Sequence, residues 1–205
     1  KIKVKGKGGH SSMPEQCVDP IVTAAQIVMG IQNIKSRRIS AYETAVLSVC
    51  KIHGGDAYNI IPETVDIEGS VRTFSKELRD SMPDMLRQIS DGIAASMGAE
   101  CEVVYERGYS SVINDEKLTN EAREVITDWF GADAVLEIQP VMPGEDFSAF
   151  TEATGCPGCF IEIGTRNPEK GTDKPHHNPK YLMDEDGLYY GTGFFAAMLE
   201  HKLMK

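Results

Sequence analysis

Thr64-Val65-Asp66-Ile67-Glu68-Gly69-Ser70-Val71-Arg72 is the stretch that organises the first half of this 205-residue chain. Val65, Ile67 and Val71 mark a strand, and Ser75, just beyond it, is placed to cap a helix carrying Leu78, Met82, Met85, Leu86, Ile89 and Ile93 on one side. Upstream, Thr44 to Ile52 alternates through Ala45, Leu47 and Val49, and Gly54-Gly55 with Asn59 to Pro62 connects the two runs, which predicts an antiparallel pair. Further out, Asp19-Pro20 is a helix start, and Ile21, Ala24, Ala25, Val28, Ile31 and Ile34 recur at helical spacing to about Arg38. The outermost strands are Lys1-Ile2-Lys3-Val4-Lys5 and Glu100 to Tyr105. The order βαββαβ predicts a ferredoxin-like, split-βαβ layer with two helices on one face of a sheet. Such a layer leaves its other face or an edge available to a second copy.

The character changes after Ser110. A polar link leads to a helix from about Asp115 to Phe130, a short strand near Val135 to Ile138, and the run Met142-Pro143-Gly144-Glu145-Asp146-Phe147. An apolar strand is expected at Cys159 to Ile163, then a final helix from near Asp184, whose acidic run suits the positive end of the helix dipole. The expected organisation is α/β, with domains 1–108 and 109–205. The second holds only a piece of an α/β sandwich, which leaves apolar helix faces uncovered and implies a fragment lacking upstream sequence.

A formal net charge of −10 and a pI near 5.0 speak against nucleic acid or an anionic membrane as the main partner. The strands also lack the interleaved aromatics of a single-strand binder. Five scattered cysteines, an odd number, fit a reducing, cytoplasmic setting.

Metal-ligand chemistry concentrates at Pro175-His176-His177-Asn178-Pro179, where the prolines bracket two imidazoles suited to zinc and similar ions. A bound metal wants three or four ligands, so a surface loop with two solvated histidines is the competing reading. His10 follows the glycines Gly6, Gly8 and Gly9, which leave its ring accessible, and a plain turn histidine competes there too. Cys156-Pro157-Gly158-Cys159 leads into an apolar strand rather than a helix N-terminus and reads as a turn ahead of a redox dithiol.

Six motifs, in order, resemble those of the dinuclear-metal aminoacylase and carboxypeptidase family. They are Gly8-Gly9-His10-Ser11-Ser12-Met13-Pro14, Asp19-Pro20-Ile21, Gly54-Gly55-Asp56-Ala57-Tyr58-Asn59-Ile60-Ile61-Pro62, Gly69-Ser70-Val71-Arg72, Gly144-Glu145-Asp146-Phe147 and His177-Asn178-Pro179. The nearest branch is the amidohydrolases typified by hippurate hydrolase and auxin-amino acid conjugate hydrolases. The resemblance implies an α/β catalytic domain interrupted by a βαββαβ lid that dimerises, with this chain covering the lid and the C-terminal part of the catalytic domain. It implies two divalent ions (zinc, manganese, cobalt or nickel) in the intact parent, and a small N-acyl amino acid or dipeptide as substrate. His177 matches a metal ligand; His176 matches no role.

Asn59 and Arg72 match lid residues that hold the substrate carboxylate, against plain readings as a turn asparagine and a strand-face arginine. His10 matches a histidine that reaches the partner subunit's active site and stabilises the tetrahedral transition state. Glu145 matches a position that orients a ligand or the substrate's amino-acid part, against a plain reading as a helix-start acid. The competing function is a non-catalytic ferredoxin-like module that dimerises or binds a small ligand.

Overall fold

The computed structural model describes residues 1–142 and 144–204, in two compact units, Lys1–Ser111 and Val112–Lys205. Pro143, within the run quoted above, lies outside the described residues.

The first unit contains β1 (Ile2–Lys5), β2 (Gly9–His10), α1 (Pro20–Asn33), β3 (Ala45–His53), β4 (Ile60–Ile61), β5 (Thr64–Thr73), α2 (Lys76–Ser96) and β6 (Glu100–Val103). Four strands form one sheet in the order β3-β5-β1-β6, every neighbour antiparallel. This is the ferredoxin-like order, because each helical crossover skips one strand and a returning strand fills the gap. Ile2, Val4, Val65 and Ile67 point to one face and close a core with Ile27, Ile31 and Ile34 from the first crossover and Met82 and Leu86 from α2. The other face carries cross-strand ion pairs, Lys3 with Asp66, Lys5 with Glu102 and Lys51 with Glu68, and stays solvated.

Both crossover helices start on the caps that the sequence offered. Asp19 Oδ1 accepts from the backbone N–H groups of Ile21 and Val22, and Ser75 Oγ accepts from that of Leu78. α1 ends at Asn33, short of Arg38; Ile34–Arg38 continue as a wider π-type turn that closes with Ile39 N–H donating to Ile34 O. The pairing of β3 with β5 shifts register between Val49 and Lys51. Opposite that bulge a Cβ on Gly69 would sit 2.3 Å from Ser48 O, so only glycine fits there.

The second unit holds α3 (Glu116–Phe130), α4 (Phe147–Thr154) and α5 (Asp186–Met204). α3 and α5 are joined by Glu121, which meets both His201 and Lys202. Neither strand expected here forms. Ala132–Ala134 is a short 3-10 turn followed by irregular chain through Ile138, and 159–163 is irregular as well. A strand needs a neighbour to take up its backbone groups, and beside Phe160 that neighbour is one side chain: Asn114 bonds both its N–H and its C=O at 2.8 Å.

Candidate active-site residues

His10 and Asn59 come together through an element too short for any alternation pattern to reveal. β2 and β4 pair antiparallel, His10 opposite Ile60, and Ser11 N–H donates to Asn59 O at 3.1 Å. The glycines before His10 permit this approach: a Cβ on Gly8 would lie 2.7 Å from Ile61 O.

The His10 ring is exposed and held by its neighbour. Ser12 N–H donates to Nδ1 at 3.2 Å, and Ser12 Oγ lies 2.8 Å from the same atom. An Nδ1 that accepts a backbone N–H carries no proton of its own. In its neutral form the ring then carries its proton on Nε2, which has no hydrogen-bond partner among the described residues. That is the tautomer needed to stabilise an oxygen that gains negative charge. The Asn59 side-chain amide has no hydrogen-bond partner among the described residues. The segment before it borders a cleft of about 470 Å³ lined by His53, Gly54, Gly55, Asp56, Ala57 and Glu63, among others.

Arg72 is elsewhere. It lies opposite Val46 near the end of β5, exposed, and its guanidinium has no ion-pair or hydrogen-bond partner among the described residues. At about 3.3 Å per residue, the eight steps from Thr64 to Arg72 separate it from the β2–β4 end by about 26 Å. Arg72 is also where the chain leaves the unit: Ser111 Oγ donates to Thr73 O at 2.6 Å. Arg79 donates to Gly108 O, and Arg107 pairs with Asp80. Hydrogen bonds from Lys76 and Arg107 hold the Asp80 carboxyl down at about 2.

In the second unit Glu145 Oε1 accepts from the N–H groups of Asp146 (2.9 Å) and Phe147 (3.1 Å) at the start of α4, so one of its oxygens serves as a helix-start acceptor. His177 is exposed and, alone among the described non-glycine residues, has a positive φ, 66°. Its ring has no partner among the described residues, whereas His176 packs edge-on against Tyr181 with centroids 4.9 Å apart. As one ligand among several, an exposed imidazole without competing hydrogen bonds is chemically suited to a divalent ion. As a whole site the described residues fall short, because no three His, Cys, Asp or Glu side chains among them converge to hold a metal ion. Cys156 and Cys159 are both free.

The sequence profile of peptidase family M20/M25/M40 matches residues 8–201. The chain belongs to that family. It is 37% identical over 198 residues to N-acetylcysteine deacetylase of Bacillus subtilis, covering 97% of this chain and 50% of that protein. It is 36% identical over 192 residues to thermostable carboxypeptidase 1 of Saccharolobus solfataricus, covering 93% and 48%. Among solved structures it superposes, with a TM-score of 0.72 and 30% identity, on the YXEP protein of Bacillus subtilis, a dinuclear metal binding peptidase from the M20 family, covering 96% of this chain and 47% of that one. The chain thus spans about half the length of the curated relatives it matches. Its relatives are hydrolases and peptidases, and the mixed α/β architecture is theirs.

Proposed function

We propose that this chain is the lid and the C-terminal catalytic part of a metal-dependent amidohydrolase that releases amino acids from small N-acyl amino acids or short peptides. The observation that carries the reading is the His10 imidazole, held at Nδ1 by Ser12, on a short strand whose pairing brings its backbone beside that of Asn59, the side-chain amide of which has no hydrogen-bond partner among the described residues. In this reading Arg72 grips the substrate carboxylate with its planar fork, and Asn59 donates from a second direction. His10 Nε2–H donates to the scissile carbonyl oxygen as it becomes tetrahedral. His177 contributes one nitrogen to a site for two divalent ions, for which no three His, Cys, Asp or Glu side chains converge among the described residues. When bound, such ions supply Lewis acidity for hydrolysis. Glu145 fixes the start of α4 and leaves its second oxygen to orient substrate or ligand.

The distance between Arg72 and the His10–Asn59 pair suits a homodimer in which each active site draws on both subunits. An N-acyl amino acid is only about two residues long, roughly 7 Å, and cannot span one lid from end to end. β3 is the better edge for pairing with a second copy. Ala45 to Cys50 is an uncharged run on a nine-residue strand, whereas four-residue β6 guards the other edge with Glu100 and Glu102. Exposed Ile21, Val22 and Met29 on α1 add apolar surface. Five free cysteines fit a reducing, cytoplasmic compartment; no helix among the described residues is long and apolar enough to cross a membrane.

The test is metal content and hydrolysis of an N-acyl amino acid panel, for the 205-residue chain beside a version extended to the length of its relatives. Two ions and activity in the longer protein alone support the reading. No metal and no activity in either would overturn it and leave a non-catalytic dimerising module.

A further inference from the structure

The loop that presents His177, residues 173–183, has both of its ends tied to one carbonyl. Thr172 Oγ1 donates to Thr165 O at 3.2 Å, and Asp184 N–H donates to the same oxygen at 3.1 Å. Thr172 and Asp184 are buried, at 7% and 9% exposure.

A second tie runs through Asn167. Its backbone bridges Thr172, and its Nδ2 donates to Asp184 Oδ2 at 2.7 Å. Asp184 Oδ1 accepts from Lys170 Nζ at 2.7 Å and from Asp186 N–H at 3.2 Å. The bonds from Lys170 and Asn167 hold the Asp184 carboxyl below its usual range.

Inside the loop the contacts are local. Asn178 N–H donates to Pro175 O, Tyr181 N–H to Asn178 O, and Lys180 N–H to Asn178 Oδ1. These hydrogen bonds shape the turn around His177 and run only between residues of the loop. Its positive φ also needs surroundings that hold it. A buried carboxylate in a satisfied polar network adds little net stability, because desolvation offsets the attraction, but it restricts geometry.

We infer that Asp184, locked by Asn167 and Lys170, is a positioning residue that fixes the stem of the His177 loop and so the direction of its imidazole. This rests on the reading of His177 as a metal ligand. The acidic run at 184–186 therefore does more than complement the α5 dipole: its first member is the loop's anchor.

The first measurement is hydrogen exchange in the 205-residue chain. Asn167→Ala removes the link to Asp184, along with the Asn167 Oδ1 acceptor for the N–H groups of Glu169 and Lys170, and does not touch the Asp186 N–H bond to Asp184 at the start of α5. Expected is at least tenfold faster exchange at Asn178, Lys180 and Tyr181, with α3 and α5 amides unchanged; unaltered loop exchange overturns the clamp. Lys170→Met should act in the same direction and Lys170→Arg should restore slow exchange.

The second is made in the longer enzyme. Asn167→Ala should weaken divalent-metal affinity about 10- to 100-fold and lower kcat, with KM unchanged because the substrate carboxylate is held in the lid. A loosened loop with unchanged metal affinity overturns the positioning role. If His177→Ala also leaves metal affinity unchanged, the fault lies instead with the assignment of His177.

Discussion

If each active site combines Arg72 of one subunit with His10 and Asn59 of the other, two inactive variants should rescue one another. The perturbation pairs His10→Ala with Arg72→Ala in the longer enzyme. Removing a free transition-state donor such as the His10 Nε2–H costs about 10²- to 10³-fold in kcat. Removing a forked, charge-assisted grip on a carboxylate costs at least about 3 kcal/mol, over a hundredfold in kcat/KM. Each variant alone therefore retains at most about 1% of wild-type activity. On random pairing of equal amounts, half the dimers are mixed, and a mixed dimer has one intact site and one doubly deficient site. About a quarter of wild-type activity should return on co-expression. The assay is initial-rate hydrolysis of an N-acyl amino acid by the co-expressed pair, beside each variant alone. Activity no higher than the mean of the two variants would refute the reasoning, since it would put Arg72 and His10 in the same site within one chain despite their separation along β5.

Three further outcomes follow from individual residues. Gly69→Ala places a Cβ against Ser48 O where β3 bulges, and should lower stability by about 1–3 kcal/mol, read as a reduced urea midpoint with an unchanged slope. Asp80 has its folded pKa depressed to about 2 from an ordinary 3.8, so its contribution is present above 3.8 and fades as the pH falls toward 2; an acid titration by circular dichroism should show that loss between those values in the wild type and not in Asp80→Asn. His177→Gly relieves a left-handed backbone at φ 66° and should raise the thermal midpoint of the 205-residue chain by the equivalent of up to about 1 kcal/mol, while lowering metal retention in the longer enzyme.

The contrast between sequence and structure is clearest in three places. Asp19 and Ser75 were legible as helix starts because a cap is a local matter: one side-chain oxygen and an N–H two or three residues on. The main strands were legible because apolar side chains recur on one face of a pleat, and with two helices between them few topologies other than the ferredoxin-like order remain. The strand expected at Cys159 to Ile163 failed for the opposite reason. Apolar composition says only that a segment wants burial, while strandhood depends on a partner elsewhere in the chain, and at Phe160 that partner is Asn114.

By itself, then, the sequence determined the ferredoxin-like fold of the first unit, the helix starts at Asp19 and Ser75 and the family, each of which rests on local caps, short-period patterning or ordered motifs. Only the tertiary structure decided which candidate residues lie near one another. The motifs holding Asn59 and Arg72 are thirteen residues apart in the chain, yet they stand at opposite ends of β5, because an extended strand carries its termini apart. His10 and Asn59, nearly fifty residues apart, are neighbours through a two-residue pairing. The anchoring of the His177 loop by Asp184 was equally hidden, since a carboxylate's role depends on the donors that folding brings to it, and Asn167 and Lys170 reach Asp184 from across the loop's stem.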